Sequence, residues 1–158
     1  MSTKLTKKSP LAGYDLAASH ALALTQSSEM FQQRIVAWLL LKLAEDGFDE
    51  LKASQLSFLG SLDCGTNYAA ELARALGITR QAIHKTVREL EGAGWLATKP
   101  NAQLANQRAI TFTTEGERMM SRARLHFLEL DTILIKQFGE DSLATLGRLL
   151  AFDPNAPG

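Results

Sequence analysis

The spacing of apolar residues along the chain predicts a mainly helical protein. Between Ser28, which can cap a helix, and Gly47, which can end one, apolar residues recur at helical intervals. They cover nearly the whole circumference of this helix, so every side of it should be buried. In a chain of 158 residues, a second subunit most easily covers one of those sides. The residues concerned are Phe31, Ile35, Val36, Trp38, Leu39, Leu40, Leu41 and Leu43.

The rest of the pattern predicts five more helices, flanked by a partly disordered arm (1–27) and a loose tail (153–158). Within the arm, the Ala-rich residues 10–27 could form a short helix. A long helix should open at Thr114, which has the capping-box spacing to Glu117, and run to about Phe138 before Gly139 ends it. The other four helices are expected near Lys52–Leu62, Asn67–Leu76, Thr79–Glu91 and Asp141–Phe152.

A β-hairpin is expected between the helix near Thr79–Glu91 and the long helix that opens at Thr114. Trp95–Lys99 and Arg108–Thr113 have the composition of strands, and a polar loop joins them. In the second strand Ile110 and Phe112 alternate with smaller or polar residues, as a strand with one buried face requires. The predicted fold is therefore mainly α with a small β-hairpin.

Two short helices are joined closely enough to form a helix-turn-helix. Ala73 is small enough for the second helix to approach the first, and Gly77 lies where the chain needs a positive φ. Thr79 can cap the second helix. The wedge between the two helices should be filled by Leu72, Leu76, Ile78, Ile83, Val87 and Leu90.

The opposite face of the second helix is polar and cationic, with no acidic residue between Arg74 and Arg88. Arginine can make two hydrogen bonds to guanine, and glutamine can do the same with adenine. This face therefore predicts a helix that reads DNA in the major groove, although a solvated polar face is the plain alternative. Arg80, Gln81 and His84 are expected to read bases. Lys85 and Arg88 are better placed for phosphates or further bases, and Thr79 completes the predicted major-groove set.

The hairpin that follows is expected to act as a wing. Arg108 could enter the narrow minor groove, and Lys99 could contact backbone phosphate, with Asn106 beside them in the loop. The alternative is that Arg108 only holds the loop together.

The charge distribution agrees with a local cationic surface. The formal net charge is zero, with 17 basic and 17 acidic residues, so the whole chain carries no basic signal. Residues 71–108, however, hold six lysines and arginines against three glutamates. A basic face on a neutral protein suits a dimer that docks one surface on phosphates, but a chance excess on a solvated surface is the alternative.

Other classes of chemistry find little support. No apolar run is long enough to span a bilayer and no signal peptide is visible, so we expect a cytoplasmic protein that does not enter membranes. Cys64 follows Asp63, which disfavours a thiolate, and is expected to be a passive loop cysteine. The three histidines show no metal-ligand spacing, and no catalytic motif appears, so we expect no metal, no cofactor and no enzyme activity.

A ligand pocket is a weaker expectation. Arg34, Trp38 and Phe58 could line one where the first helix meets the following lobe, since an aromatic acid needs both a π surface and a cation. The same three residues could equally form a dimer core.

Residues 47–116 resemble the MarR family (multiple-antibiotic-resistance-type regulators). The matching segments, in order, are Gln55, Glu71-Leu72-Ala73, Leu76-Gly77-Ile78-Thr79-Arg80, Val87-Arg88-Glu89-Leu90-Glu91, Gly94-Trp95-Leu96 and Phe112-Thr113-Thr114-Glu115-Gly116. The resemblance implies a winged helix-turn-helix flanked by long N- and C-terminal dimerisation helices. It also implies a homodimer that binds a pseudo-palindromic operator in double-stranded DNA, usually as a repressor, often relieved by a small aromatic ligand or by cysteine oxidation.

The resemblance divides the chain into an arm (1–27), a dimerisation helix (28–50), a DNA-binding lobe (51–116), C-terminal dimerisation helices (117–152) and a tail (153–158). One departure concerns the wing. Where the family commonly has an acidic residue that holds its arginine, this chain reads Asn106-Gln107-Arg108, so an amide would have to do that work. The rival interpretations are a winged helix that binds only proteins and, more remotely, an enzyme acting on aromatic acids.

Overall fold

The computed structural model describes residues 19–101 and 107–156, which form six helices and three short strands. The predicted fold class is confirmed: a winged helix-turn-helix lies between long terminal helices. The elements are α1 (His20–Glu45), α2 (Ala53–Gly60), β1 (Asn67–Tyr68), α3 (Ala69–Leu76), α4 (Arg80–Gly92), β2 (Leu96–Pro100), β3 (Arg108–Phe112), α5 (Thr114–Phe138) and α6 (Glu140–Leu150).

The first helix begins earlier than predicted. Ser19 caps α1, because its side-chain oxygen accepts a hydrogen bond from the Leu22 amide at 3.3 Å. Ser28 lies inside the helix, where its hydroxyl donates to the Thr25 carbonyl. The prediction of Ser28 as the cap was therefore wrong, and residues 20–27 belong to α1 and not to an arm. The rest of the predicted arm, residues 1–18, lies outside the described residues.

The wing is a three-stranded antiparallel sheet in the order β1-β3-β2. The hairpin of β2 and β3 agrees with the prediction, but β1 was assigned to a helix. Asn67 of β1 pairs with Ile110 of β3, and its buried side chain bonds the backbone of Asp63 in both directions. Two residues are too few to show an alternating pattern, so only the tertiary pairing reveals this strand.

The long helix α5 begins at Thr114, the residue that the sequence predicted as its cap. Its cap is Thr113, whose hydroxyl oxygen accepts from the Gly116 amide at 3.0 Å and donates to the Gly94 carbonyl at 2.6 Å. Thr114 is already helical, so the capping-box assignment was wrong by one residue. The helix ends at Phe138, before Gly139, as predicted.

The core joins the helix-turn-helix to α1, α2 and α5. Gly77 adopts a left-handed conformation with φ of 64°, and Thr79 caps α4, both as predicted. Leu76 and Ile78 differ from the prediction, because they are 38% and 44% exposed at the turn and do not fill the wedge. The buried wedge residues are Leu72, Ala73, Ile83, Val87 and Leu90.

The terminal helices leave large apolar side chains uncovered. No residue of α6 is buried, although its sequence has a clear apolar face. An isolated helix of this length is marginal in water unless an apolar face is packed. The exposed apolar residues on α1, α5, α6 and the residues after α6 include Met30, Phe31, Leu41, Leu128, Ile133, Phe138, Leu149, Leu150 and Phe152.

Candidate nucleic-acid interface

The polar face of α4 is free in the part of the chain that the structure describes. The aliphatic residues Ile83, Val87 and Leu90 hold one side of the helix in the core. The helical period then turns the other side to solvent. The exposed side chains are those of Arg80, Gln81, His84, Lys85 and Arg88, and none makes a hydrogen bond or ion pair with another described residue. The structure brings five of the six predicted major-groove residues together as unpartnered donors on one face.

Thr79 is positioned differently from the others. Its side-chain oxygen accepts from the Ala82 amide at 3.1 Å and so satisfies one of the free amides at the start of α4. Its hydroxyl proton remains available to an acceptor outside the protein. The cap also fixes where α4 begins and therefore where Arg80 and Gln81 project.

The two cationic wing residues lie near the loop end of the hairpin of β2 and β3. Lys99 is exposed near the end of β2, and Arg108 is exposed at the start of β3, opposite Pro100. Asn106 lies outside the described residues. Arg74, which we had counted only in the charge excess, is also exposed in the last turn of α3 without a described partner.

Arg108 is held by two residues that we had not singled out. Its Nη2 and Nε donate to the Thr98 hydroxyl oxygen at 2.9 and 3.2 Å. The Thr98 hydroxyl in turn donates to Glu91 Oε1 at 2.7 Å, and the Thr98 amide donates to the same oxygen at 2.8 Å. The signal in the sequence is weak: Thr98 shares a strand face with buried Leu96, and Glu91 lies in the last turn of α4.

The three residues predicted for a ligand pocket do not line a common cavity among those that the described residues form. Arg34 lines a cavity of about 340 Å³ with residues of α1 and α6, and this cavity includes neither Trp38 nor Phe58. Phe58 is buried in the core, and Trp38 packs edge-on against His126 with ring centroids 6.3 Å apart. The periodicity of α1 placed Arg34 and Trp38 on one helix but could not show what faces each of them.

A second cavity of about 390 Å³ lies between α1, α2 and α5. Its lining is mostly apolar, with Gln32 and Ser57 as polar groups. The apolar lining includes Phe31, Ile35, Leu39, Leu56, Met120 and Phe127.

A polar cluster ties the end of α1 to α5. Asp46 accepts two hydrogen bonds from Arg122 at 2.6 and 2.9 Å, and His126 Nε2 lies 2.7 Å from its Oδ2. The hydrogen bonds from Arg122, and then that from His126, lower the pKa of Asp46 from 3.8 to about 2. No group of three His, Cys, Asp or Glu side chains in the described ranges could hold a metal ion.

Cys64 lies in the exposed loop between α2 and β1. The Arg124 guanidinium Nη2 is 2.8 Å from its sulfur. The sequence pointed only to Asp63 as a charged neighbour of this cysteine, because Arg124 is distant along the chain.

Comparison with known proteins gives a fold and a local similarity to one family. Residues 65–103 match the model of the MarR family. No curated protein gives a significant sequence match. A mutant of MarR from E. coli, solved in complex with operator DNA, is 24% identical and superposes with a TM-score of 0.66 over 82% of this chain and 92% of that one.

Two other structures are similar in fold. FabT from Streptococcus pneumoniae, solved with DNA, is 14% identical, with a TM-score of 0.67 over 82% of this chain and 92% of that one. PcaV from Streptomyces coelicolor, solved with its natural ligand, is 19% identical, with a TM-score of 0.64 over 89% of this chain and 94% of that one.

Of these three structures, those of MarR and FabT contain DNA, and PcaV is a transcriptional regulator. Among the described helices, none has the length and hydropathy needed to cross a bilayer. Residues 65–103 are thus similar to the MarR family, and the described chain has the winged-helix fold of the structures on which it superposes.

Proposed function

We propose that this protein is a sequence-specific repressor that binds a pseudo-palindromic operator as a homodimer in the cytoplasm. One observation carries the proposal: five donor side chains project from one exposed face of α4 without a described partner. A solvated helix face without a binding role usually carries both acidic and basic side chains. A helix face that offers cations and hydrogen-bond donors without an acidic residue suits the edges of bases and the phosphates beside them.

The proposed reading divides the face by position along α4. The helix N-terminal half carries Arg80, Gln81 and His84, which would contact base edges in one major-groove half-site, as in other helix-turn-helix proteins. Thr79 at the cap would donate its hydroxyl proton to a neighbouring phosphate or base. Lys85 and Arg88 would contact phosphates, with Lys99, Asn106 and Arg108 of the wing against the backbone or minor groove.

The proposed occupant of the uncovered apolar surface on α1, α5 and α6 is a second copy of this chain. The surface continues from the core of the winged helix, and α6 has no buried residue in the single chain. Exposed apolar area of this extent is unusual for a monomer. A two-fold interface would also place two α4 helices on one side, about one turn of DNA apart, which is what a pseudo-palindrome requires.

We also propose that a small aromatic effector binds the cavity between α1, α2 and α5. Its volume suits a single-ring molecule, and its walls are two phenylalanines and several aliphatic side chains. The cavity spans the dimerisation helices and the lobe that carries α4, so occupancy could change how the two α4 helices are spaced. The lining of this cavity includes no cation, so an uncharged single-ring probe is the suitable test. Titration with phenol, followed by calorimetry, should show binding that Ser57→Leu removes and that Arg34→Gln leaves intact. If the Ser57→Leu variant binds the probe as tightly as the Arg34→Gln variant and the wild type do, the effector does not bind in this cavity.

Selection of bound sequences from random duplex DNA tests the central proposal. We expect a two-fold symmetric motif whose half-sites lie about one helical turn apart. An asymmetric motif would contradict the homodimeric reading. Recovery of no motif at all would favour a winged helix whose specific partner is a protein.

A further inference from the structure

We propose that Glu91 and Thr98 are positioning residues for the DNA contact of Arg108. This inference rests on the proposed function, since it concerns how the wing arginine is held for phosphate or minor-groove binding. The hydrogen bonds run from Arg108 to the Thr98 hydroxyl oxygen and from that hydroxyl to Glu91. They join the wing to the C-terminal end of α4.

The direction of these hydrogen bonds is fixed by chemistry. A guanidinium has no acceptor, so the Thr98 oxygen must accept from Arg108. The single hydroxyl proton is then free to point elsewhere, and Glu91 Oε1 at 2.7 Å is its acceptor. The Thr98 amide bonds the same carboxylate oxygen, which fixes the threonine at both its backbone and its side chain. Charge-assisted bonds of this kind are stronger than neutral ones.

The hydrogen bonds to Thr98 determine where the Arg108 guanidinium lies and which of its nitrogens stays available to DNA. Arg108 is paired in register with Pro100, whereas Thr98 faces Ile110, two residues farther from the loop. The guanidinium therefore lies back along β2, towards α4. Its Nε and Nη2 bond to Thr98, while Nη1 has no described partner and remains free for an acceptor on DNA.

This arrangement supplies what the loop sequence lacks. No acidic residue precedes Arg108 in Asn106-Gln107-Arg108, so the loop itself offers no carboxylate beside it. The nearest negative charge that acts on Arg108 through described hydrogen bonds belongs to Glu91, reached through Thr98. A neutral hydroxyl between the two charges leaves the guanidinium less firmly bound than a direct ion pair would. It is therefore oriented and still able to bind phosphate.

The test is the salt dependence of binding to a labelled mixed-sequence DNA duplex. Each phosphate contact that is lost lowers the slope of log affinity against log salt by about one. We expect Arg108→Ala and Thr98→Val to lower this slope by similar amounts, with no further loss in the double variant. Thr98→Ser and Glu91→Gln, which keep the oxygen acceptors, should retain the wild-type slope, whereas Glu91→Ala should resemble Thr98→Val.

Thr111→Val is the matched control, because Thr111 lies on the neighbouring strand and its hydroxyl makes only a 3.5 Å contact to the Ala97 carbonyl. Thermal melting shows whether each variant is folded. If Thr98→Val lowers only the melting temperature and keeps the wild-type slope, Thr98 is merely structural and the inference is wrong. An unchanged slope in Arg108→Ala would overturn it too. Absence of salt-dependent binding by the wild type would instead reject the proposed function.

Discussion

At the scale of single residues, local signals were reliable where one side chain decides the backbone. The left-handed Gly77 and the capping Thr79 follow from their chemistry, and both lie where the sequence predicted them. The prediction of the α5 cap from residue type was wrong by one residue, because Thr113 and Thr114 are adjacent and either can cap a helix. The hydrogen bond from Thr113 to the Gly94 carbonyl decides between them, and only the folded chain shows it.

Arg80 is the residue for which we expect the sharpest effect on base preference. Arg80→Ala should cost on the order of 1–3 kcal/mol of operator affinity and relax the preference at one base position. Its side chain has no described partner, so folding should be unaffected. Competition binding with single-base operator variants measures both effects. Lys42→Gln, on α1, is the control; if Arg80→Ala behaves like it, Arg80 reads no base.

Asp46 should give the protein a characteristic acid response. Its pKa is about 2 in the folded chain and 3.8 in the unfolded one, so it binds protons more readily after unfolding. The stability it contributes is therefore fully present above about pH 4 and is lost as the pH falls towards 2.

We expect Asp46→Asn to be less stable than the wild type at pH 7, with a difference that narrows between pH 4 and 2. Urea unfolding at a series of pH values measures this, with Asp49→Asn, at an exposed carboxylate without a described partner, as the control. A difference that stays constant across this range would contradict the role of the Arg122 and His126 hydrogen bonds.

At the scale of elements, the long periodic helices and the hairpin were predictable, because apolar periodicity reports directly which face is buried. The strand β1 was not, since two residues carry no period and its role depends on pairing with β3. The start of α1 was also missed, because residues 20–27 are helical without a clear apolar stripe and their cap is Ser19.

Gly116 tests how tightly α5 is seated against the wing. A Cβ at this position would overlap the Trp95 carbonyl oxygen and press on the Phe112 ring. We expect Gly116→Ala to destabilise the protein by about 1–3 kcal/mol. Gly92→Ala, where a Cβ meets nothing within 4 Å, should instead be neutral or stabilise by about 0.4–1 kcal/mol. Equal unfolding midpoints for the two variants would contradict this account of the α5 start.

At the scale of the whole molecule, the sequence predicted that α1 was too apolar for a single chain. The structure agrees, since Leu41 remains 68% exposed and Leu149 of α6 remains 49% exposed. The predicted pocket of Arg34, Trp38 and Phe58 is not among the described cavities, because which residues meet across α1, α2, α5 and α6 depends on helix packing. Helical periodicity orders residues on one helix and says nothing about what faces them.

The apolar face of α6 provides a test of the proposed homodimer. Leu149→Glu should convert dimer to monomer, because burying one leucine stabilises an interface by roughly 1.5–3 kcal/mol and two-fold symmetry doubles the loss. Ala144→Glu adds the same charge to the opposite side of α6 and should leave the dimer intact. Sedimentation velocity measures both. A wild-type monomer, or a Leu149→Glu dimer, would contradict the assignment of a second copy to this face.

The central claim is that the free cationic face of α4 binds DNA. The most direct test compares the salt dependence of operator affinity in the wild type and in a Lys85→Gln, Arg88→Gln double variant. Both side chains are exposed and without described partners, so the fold should persist. We predict that the slope of log affinity against log salt falls by about two. An unchanged slope and affinity would show that α4 does not contact the duplex.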